Sequence, residues 1–453
     1  MRLLRTVLLG FIGVVSICAR EVKIVVLATT DLHGNVYPYD YLTGQAVPRG
    51  LAKIATLIKA ERSANPATIL VDCGDTIQGA SLEGVYQHYV RTGTYPLGLK
   101  PERPLTADPM MLAMNHLGYD AMAVGNHEYN YGLQNLDKAR SAARFPWLSA
   151  NTKVAPEAGR SAFEAYTVKV VNGIKIGIIG ITTPAVPSWE KPENYKHYTF
   201  IDAKEAVLGA VAELKSKHKP DLIIVAAHAG LDRDLRTGAV HGGESAKENM
   251  IYAVASGVPG VDAIVFGHTH RELEEANING VLLTQPKNWG ISLARIEFIF
   301  DVSEAGSKLL RKSSKLLPVT AATVADQEVL KIAKPYHDLA EAYLNTRVTQ
   351  SSADLNASES RIEDTAMIDA IHQVQLHFGK ADVSFASSFN PRAAIAKGPV
   401  TVRQIAALYL YDNELYAIEG NGKMIREALE NAARFYNSCR TRAALPEPPS
   451  TGA

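Results

Sequence analysis

Five apolar runs in this chain each end on residues that bind metal ions or move protons. Lys23-Ile24-Val25-Val26-Leu27-Ala28 leads into Thr30-Asp31-Leu32-His33-Gly34, and Thr68-Ile69-Leu70-Val71 leads into Asp72-Cys73-Gly74-Asp75. Ala121-Met122-Ala123-Val124 stops at Gly125-Asn126-His127-Glu128, Leu222 to Ala227 stops at His228, and Ala263-Ile264-Val265-Phe266 stops at Gly267-His268-Thr269-His270. If these runs are strands of α/β sheets, their ends share the crevice where such sheets bind ligands. Seven donors then converge: Asp31, His33, Asp75, Asn126, His228, His268 and His270. One ion in a catalytic site takes about four protein ligands or fewer. Seven donors suit two divalent ions about 4 Å apart with a shared carboxylate. Imidazole, carboxylate and amide oxygen together favour zinc, manganese or iron over magnesium. Cys73 lies among these donors but reads as a small buried residue, because harder donors are already present. His88, His116, His218 and His337 have no comparable setting and read as ordinary.

The elements that must position these residues follow from periodicity. Leu51 to Ile58, Met110 to Leu117 and Ala203 to Lys217 carry apolar residues at helical spacing, with Asp108-Pro109 and Asp202 as entry signals. Tyr166 to Val171 and Ile174 to Ile181 read as a hairpin across Asn172-Gly173. Val281 to Gln285 and Leu293 to Phe300 read as closing strands. Strands alternating with helices imply sheets covered by helices. Asp301 to Pro318 reads as a transition of mixed charge, and Asp326 to Leu344 as a linking helix. A second, shorter α/β segment follows: helix Thr365 to Leu376, strand Asp382 to Ala386, helix Val402 to Leu408, strand Leu415 to Glu419 and helix Lys423 to Phe435. With about 90 residues it has little material for a core of its own.

The chain has 453 residues, 47 Lys+Arg and 47 Asp+Glu, so no basic field attracts a nucleic-acid polymer or an anionic membrane. Arg2 and Arg5 precede an apolar stretch from Thr6 to Val15 and small residues to Ala19, the pattern of a cleaved secretory signal. The stretch is short for a membrane span, and a lipid on Cys18 would need a better flanking sequence than Val15-Ser16-Ile17. Without this signal, 45 basic residues face 47 acidic ones. A secreted, periplasmic or cell-surface protein with no stable membrane span is therefore expected. Cys73 and Cys439 alone do not make a disulfide framework. The expected division is 1–19 signal, 20–305 first domain, 306–345 linker with helix, 346–436 partial second domain, and 437–453 a Pro-rich disordered tail. Oligomeric state leaves no mark in the sequence.

Asp31-x-His33, Gly74-Asp75, Gly125-Asn126-His127-Glu128, His228 and Gly267-His268-Thr269-His270 resemble, in order and spacing, the metallophosphoesterase superfamily. Over Lys23 to about Phe435 the chain resembles its secreted two-domain nucleotidases, both 5′-nucleotidases and 2′,3′-cyclic-nucleotide 2′-phosphodiesterase/3′-nucleotidases. The resemblance implies a four-layer α/β-β/α sandwich, a helical linker and an incomplete α/β C-terminal domain. It implies one ion on Asp31, His33 and His270, another on Asn126, His228 and His268, and Asp75 between them. It also implies a nucleotide substrate, attack by a metal-bound hydroxide, and His127 assisting at a phosphoryl oxygen or the departing ribose oxygen. In the 5′-nucleotidase branch the histidine is partnered by an Asp three residues on; here that position is Asn130. Asn accepts an imidazole N–H and fixes the tautomer but brings no charge. With Thr29-Thr30-Asp31-Leu32-His33 and Tyr39-Asp40-Tyr41, Asn130 points to the cyclic-phosphodiesterase branch. Asn130→Asp is then expected to help acyclic monoesters more than cyclic ones.

The family continues beyond Glu427-Ala428-Leu429-Glu430 into a region that sandwiches the base between two rings, so truncation is the expectation here. Ser387-Ser388-Phe389-Asn390-Pro391-Arg392 occupies the region of substrate contacts, which makes Asn126, Asn390 and Arg392 candidate substrate contacts. Tyr411-Asp412-Asn413 matches a family turn. A chain ending near Phe300 is expected to keep both metals. The alternatives are a 5′-nucleotidase or nucleotide-sugar hydrolase, a sulfur-compound thiohydrolase of the same superfamily, and a non-catalytic metal-bound surface binding protein.

Overall fold

The stretch from Val22 to Thr29 is apolar at nearly every position, as a strand covered on both faces must be, and its last six residues are fully buried. A computed structural model of the chain describes residues 20–155, 160–240, 248–304, 306–408 and 415–436. The expected signal Met1–Ala19 with Cys18, the turn at Tyr411-Asp412-Asn413, Cys439 and the tail 437–453 lie outside the described residues.

Two six-stranded mixed sheets form the first domain. Their strands, numbered along the chain, are β1 (Arg20–Thr29), β2 (Thr68–Asp72), β3 (Ala121–Ala123), β4 (Trp147–Leu148), β5 (Tyr166–Val171) and β6 (Ile174–Thr182). They continue with β7 (Leu222–His228), β8 (Ala263–Phe266), β9 (Leu273–Ile278), β10 (Val281–Gln285), β11 (Ser292–Ser303) and β12 (Gly306–Pro318). One sheet runs β12-β11-β1-β2-β3-β4 and the other β9-β10-β8-β7-β6-β5. Ile24, Val26 and Val71 of the first sheet meet Ile176, Ile178, Ile224 and Val265 of the second in a core between them. Helices α1 (Leu51–Ala64), α2 (Ser81–Thr92), α3 (Pro109–Leu117) and α4 (Leu133–Ala142) cover the outer face of the first sheet. α5 (Ala203–Lys217) and α6 (Ile251–Gly257) cover the second. The four-layer α/β-β/α arrangement expected from the sequence is the one observed.

Local signals set the boundaries. Asp108 and Asp202 accept the backbone N–H of Met111 and Glu205, and Gly118 closes α3 in the left-handed conformation. Asn172 and Gly173 have positive φ of 50° and 85°, as the two-residue turn between β5 and β6 demands. Parallel register aligns the strand ends, with Thr29 beside Asp72 and Ala227 beside Phe266.

Three sequence expectations change. The transition at Asp301–Pro318 is largely strand β12, paired with β11 from Ser292↔Pro318 to Ser303↔Gly306. It is an edge strand of alternating exposure, and its lysines and arginine suit a solvent-facing edge. Helix α7 (Gln327–Leu344), expected in a linker, buries Val329, Ala333, Tyr336, Leu339 and Ala340 against the helices covering the first sheet. In the second segment, 382–386 and 415–419 join no sheet among the described residues, and Phe385, Tyr416 and Ile418 are exposed. What forms there is α8 (Ala366–Gly379), α9 (Val402–Ala406), α10 (Gly422–Ala433) and two short strand pairs, Arg347–Ser351 with Gly398–Thr401 and Leu355–Asn356 with Ala394–Ile395. Among the described residues, Ala357, Met367, Ala393, Ile395 and Val400 form its small buried cluster.

Candidate dinuclear metal centre

All seven donors stand at the ends of the central strands or on the loops that follow them: Asp31 and His33 after β1, Asp75 after β2, Asn126 after β3, His228 as the last residue of β7, and His268 and His270 after β8. Five of them, Asp31, His33, Asp75, His268 and His270, have φ between 46° and 75°. Left-handed backbone at non-glycine residues costs about 1–3 kcal/mol each and persists where packing dictates it. The packing is visible at the glycines. A Cβ on Gly125 would lie 2.2 Å from Asp75 Oδ1, and one on Gly267 would lie 1.8 Å from Thr30 Oγ1.

The donors form two groups, Asp31–His33–His270 and Asp75–His228–His268, whose ligand atoms lie within 4.8 Å of one another in each group. Asp75 joins them. Its Oδ2 is 2.9 Å from His228 Nε2 and 3.9 Å from both His33 Nε2 and His127 Nε2, while Oδ1 accepts the backbone N–H of His127 at 2.8 Å.

Hydrogen bonding shows why these atoms fit cations. His33 Nδ1 faces the carbonyl of Gln78 at 3.0 Å, so Nδ1 carries the proton and Nε2 keeps its lone pair. That Nε2 faces His270 Nε2 at 3.0 Å, and His270 Nε2 is 3.3 Å from Asp31 Oδ1. In the same way His228 Nδ1 donates to the Cys73 carbonyl at 2.8 Å, leaving Nε2 aimed at Asp75 Oδ2 and at Asn126 Oδ1, 3.1 Å away. Lone pairs converging in a buried site repel unless a proton or a metal ion lies between them. The donor set therefore fits two divalent ions, with imidazoles oriented by their outer nitrogens as metal-binding histidines are.

The charges respond accordingly. Burial pulls the His33 imidazole down to about 4, against the pull of Asp75. Burial opposes ionisation of Asp31, but the hydrogen bond with His270 and the charge of His228 outweigh it and hold the carboxyl at about 2. Burial likewise opposes Asp75, yet His228 and His127 bring it well below the usual carboxylate range. His228 is pushed up to about 10: burial disfavours its charge, and Asp75 more than offsets that. A proton and a metal compete for its Nε2.

Three carboxylates that the sequence reading did not assign hold this arrangement. Glu128, fully buried, accepts the backbone N–H groups of Asp75, Thr76 and Gly125 at 2.9, 2.6 and 2.7 Å, and so fixes the loop carrying Asp75. Its place in Gly125-Asn126-His127-Glu128 was the available signal. Glu248 Oε1 lies 3.1 Å from His268 Nε2, on a backbone tied by Thr183 and by Asn249 to Gly230. Glu190 meets the amide of Asn130. Neither of these two has a local signature.

His127 is not among the donors. Its side chain is 37% exposed, against 2% for Asp75, so it faces the open side of the centre. Its Nδ1 is 2.5 Å from Asn130 Oδ1. Asn390 donates to the Ala407 carbonyl and accepts from the backbone of Arg392, whose side chain is exposed. No contact among the described residues joins either of them to the metal-ligand groups. Cys73 is buried, with Sγ toward the Val265 carbonyl. His337 stacks on Tyr37 with ring centroids 4.2 Å apart.

Comparison with known proteins adds to this geometry. The sequence pattern of calcineurin-like phosphoesterases matches residues 24–272, and that of the 5′-nucleotidase C-terminal domain matches 344–446. A 2′,3′-cyclic-nucleotide 2′-phosphodiesterase/3′-nucleotidase of Salmonella typhimurium is 28% identical over 97% of this chain and 72% of its own length. A 5′-nucleotidase of Vibrio cholerae is also 28% identical, over 91% of this chain and 76% of its own. The trifunctional nucleotide phosphoesterase YfkN of Bacillus subtilis is 27% identical over 92% of this chain, which spans only 30% of that protein. Among solved structures, a putative 5′-nucleotidase from Staphylococcus aureus shares the fold with a TM-score of 0.75, at 23% identity, over 92% of this chain and 78% of that one.

Proposed function

Because the chain belongs to the calcineurin-like phosphoesterase family, we propose that it is a secreted dinuclear-metal phosphohydrolase acting on nucleotides, as a 2′,3′-cyclic-nucleotide 2′-phosphodiesterase/3′-nucleotidase. The observation that carries this reading is the position of Asp75 Oδ2 between the two donor groups, with His127 Nε2 on its open side. When bound, two divalent ions supply Lewis acidity toward the phosphate oxygens and a nucleophilic water at neutral pH. Zinc, manganese and iron all suit the donors.

The chain's own groups do the rest. Asp31, His33 and His270 would hold one ion and Asn126, His228 and His268 the other, with Asp75 within reach of both donor groups. Asn126, whose Oδ1 lies 3.1 Å from His228 Nε2, would also contact substrate. His127, its Nδ1 engaged by Asn130, presents Nε2 to the phosphoryl group and gives a proton to the departing ribose oxygen. Such assistance contributes roughly 10²–10⁴-fold. Asn390 and Arg392 contact the nucleotide from the second segment. Residues 20–305, completed by β12 and α7 within 306–345, form the catalytic domain, and 346–436 the substrate-binding segment. Secretion rests on the charged and apolar pattern of Met1–Ala19. No helix among the described residues is long and apolar enough to cross a membrane.

The cyclic branch is favoured by Asn130 where the 5′-nucleotidase branch has Asp, and by the similarity to the Salmonella typhimurium enzyme. The equal identity to the Vibrio cholerae protein supports the alternative, a 5′-nucleotidase. Rates on 2′,3′-cyclic, 3′- and 5′-nucleotides, measured together with metal content, decide between them. The cyclic and 3′-nucleotides should be the best substrates; faster turnover of 5′-nucleotides would overturn the branch assignment. Hydrolysis of bis-p-nitrophenyl phosphate, which barely needs base recognition, should proceed. Its absence in metal-loaded protein would favour a non-catalytic binding protein.

A further inference from the structure

His127 Nδ1, Asn130 and Glu190 form a line of hydrogen bonds leading away from the metal centre. Asn130 Oδ1 lies 2.5 Å from His127 Nδ1, and Asn130 Nδ2 lies 2.6 Å from Glu190 Oε2. The other oxygen, Glu190 Oε1, accepts the backbone N–H of Lys191 and the amide of Asn194, both at 2.8 Å. That same Asn194 amide also donates to the Asn130 carbonyl at 3.2 Å. An amide can be turned either way in a site, and its neighbours decide which way. Here the neighbour is a carboxylate whose two oxygens are both engaged by donors.

We infer that Glu190 is a positioning residue for the reaction: it holds the Asn130 amide with Oδ1 toward His127, so that Nδ1–H stays committed to Asn130 and Nε2 is the nitrogen that gives its proton to the leaving oxygen, the ring ending neutral as the Nδ1–H form. A carboxylate only accepts, so the NH₂ of Asn130 must face Glu190. Its carbonyl oxygen then faces His127, and a carbonyl also only accepts. The proton therefore sits on Nδ1. Nε2, 3.9 Å from Asp75 Oδ2 on the open side of the centre, is free to meet substrate. Glu190 thus does for Asn130 what a directly bonded carboxylate would do for the imidazole, one amide removed. The inference rests on the assignment of His127 as the assisting group, and its test separates the two.

Glu190→Gln keeps the size but has one acceptor and one donor. The oxygen of the introduced amide will serve the two donors at the Lys191 N–H and Asn194, so its NH₂ will face Asn130. Asn130 then turns its oxygen toward that NH₂ and its own NH₂ toward His127, and the neutral-ring proton moves to Nε2. Two-bond ¹H–¹⁵N spectra of the full chain, labelled at histidine, read this directly. The Nδ1-protonated form is expected in wild type and the Nε2-protonated form in Glu190→Gln. Giving up the Nε2 proton of that neutral ring would leave an imidazolate, whereas the wild-type ring ends neutral with Nδ1–H on Asn130, so with a 2′,3′-cyclic nucleotide kcat should fall about tenfold, short of the full loss of a general acid, with KM and metal content unchanged. Asn130→Asp alone places two carboxylates face to face and should also lose activity.

The double variant Asn130→Asp with Glu190→Gln restores every donor to an acceptor: the carboxylate introduced at position 130 accepts from both His127 and the amide introduced at position 190. It should recover most of the wild-type rate, a coupling that independent structural damage does not produce. A His127 proton that stays on Nδ1 in Glu190→Gln, or a double variant as slow as the product of the single losses, would overturn the inference. A wild-type enzyme that hydrolyses no nucleotide would instead overturn the functional reading, while the spectra still test the tautomer.

Discussion

Asp72 stands three residues before Asp75 and meets the opposite electrostatic fate. It is fully buried at the end of β2, where it accepts from Thr29 Oγ1, Thr76 Oγ1 and the Gly74 backbone at 2.6, 2.7 and 2.9 Å. Burial outweighs these donors and pushes its carboxyl up to about 7. An unfolded Asp titrates near about 3.9, so the folded state binds this proton more tightly. The stability it contributes is full below about 4 and is lost as pH rises toward about 7. Asp72→Asn should remove that slope, since the threonine hydroxyls can rotate to suit an amide. Urea midpoints at pH 5 and pH 8 check this: the difference should be smaller in the variant, and an equal difference would reject it. That the seven donors and His127 come together was legible at this scale, because each follows an apolar run that ends on residue types able to bind metal. Glu190 and Glu248 were not legible: each acts on a residue 60 or 20 positions away, and no spacing rule announces such a partner. Asn130→Asp alone, expected from sequence to help acyclic monoesters, now faces Glu190 across 2.6 Å. It should lose activity instead.

At the scale of elements, periodicity gave the central strands and α5 almost to the residue, since burial on both faces leaves continuous apolar runs. It failed at β12, where lysines and an arginine alternate with half-buried residues on a sheet edge; charge masked the strand. It also failed at 382–386 and 415–419, where strand-like composition finds no partner among the described residues. A strand exists only with a neighbour, and sequence does not supply one. The role of β12 and α7 changes what a shortened chain should do. Ending at Phe300 would strip the edge from β11 and uncover the surface beneath Val329, Ala333 and Tyr336. Such a chain should fail to fold, whereas one ending after Leu344 should fold and bind two metals. Circular dichroism with metal analysis distinguishes them. A folded, metal-loaded chain ending at Phe300 would show that β12 and α7 are dispensable.

Across the whole molecule, the second segment meets the first through Arg403. Its guanidinium reaches both Glu341 oxygens at 3.0 Å and the Tyr41 carbonyl, and Tyr39 joins the same carboxylate at 3.1 Å. Partly exposed pairs of this kind contribute at most about 1 kcal/mol, but this one bridges α7, α9 and the loop after β1. Arg403→Ala should quicken proteolysis near Arg347 while leaving metal content and bis-p-nitrophenyl phosphate hydrolysis unchanged. Unaltered proteolysis would mean that other contacts hold the segments together.

The metal centre is itself a property of the whole. One sheet brings Asp31, His33, Asp75 and Asn126, the other brings His228, His268 and His270, and the Asp75 carboxylate reaches imidazoles of both donor sets. The most direct test is metal content per chain in wild type, His270→Ala and Asp75→Asn after equilibration with zinc. Two ions are expected in wild type and mainly one in His270→Ala. In Asp75→Asn, occupancy should fall at both positions, with activity abolished. Two ions and a near-normal rate in Asp75→Asn would contradict the shared carboxylate on which the account depends.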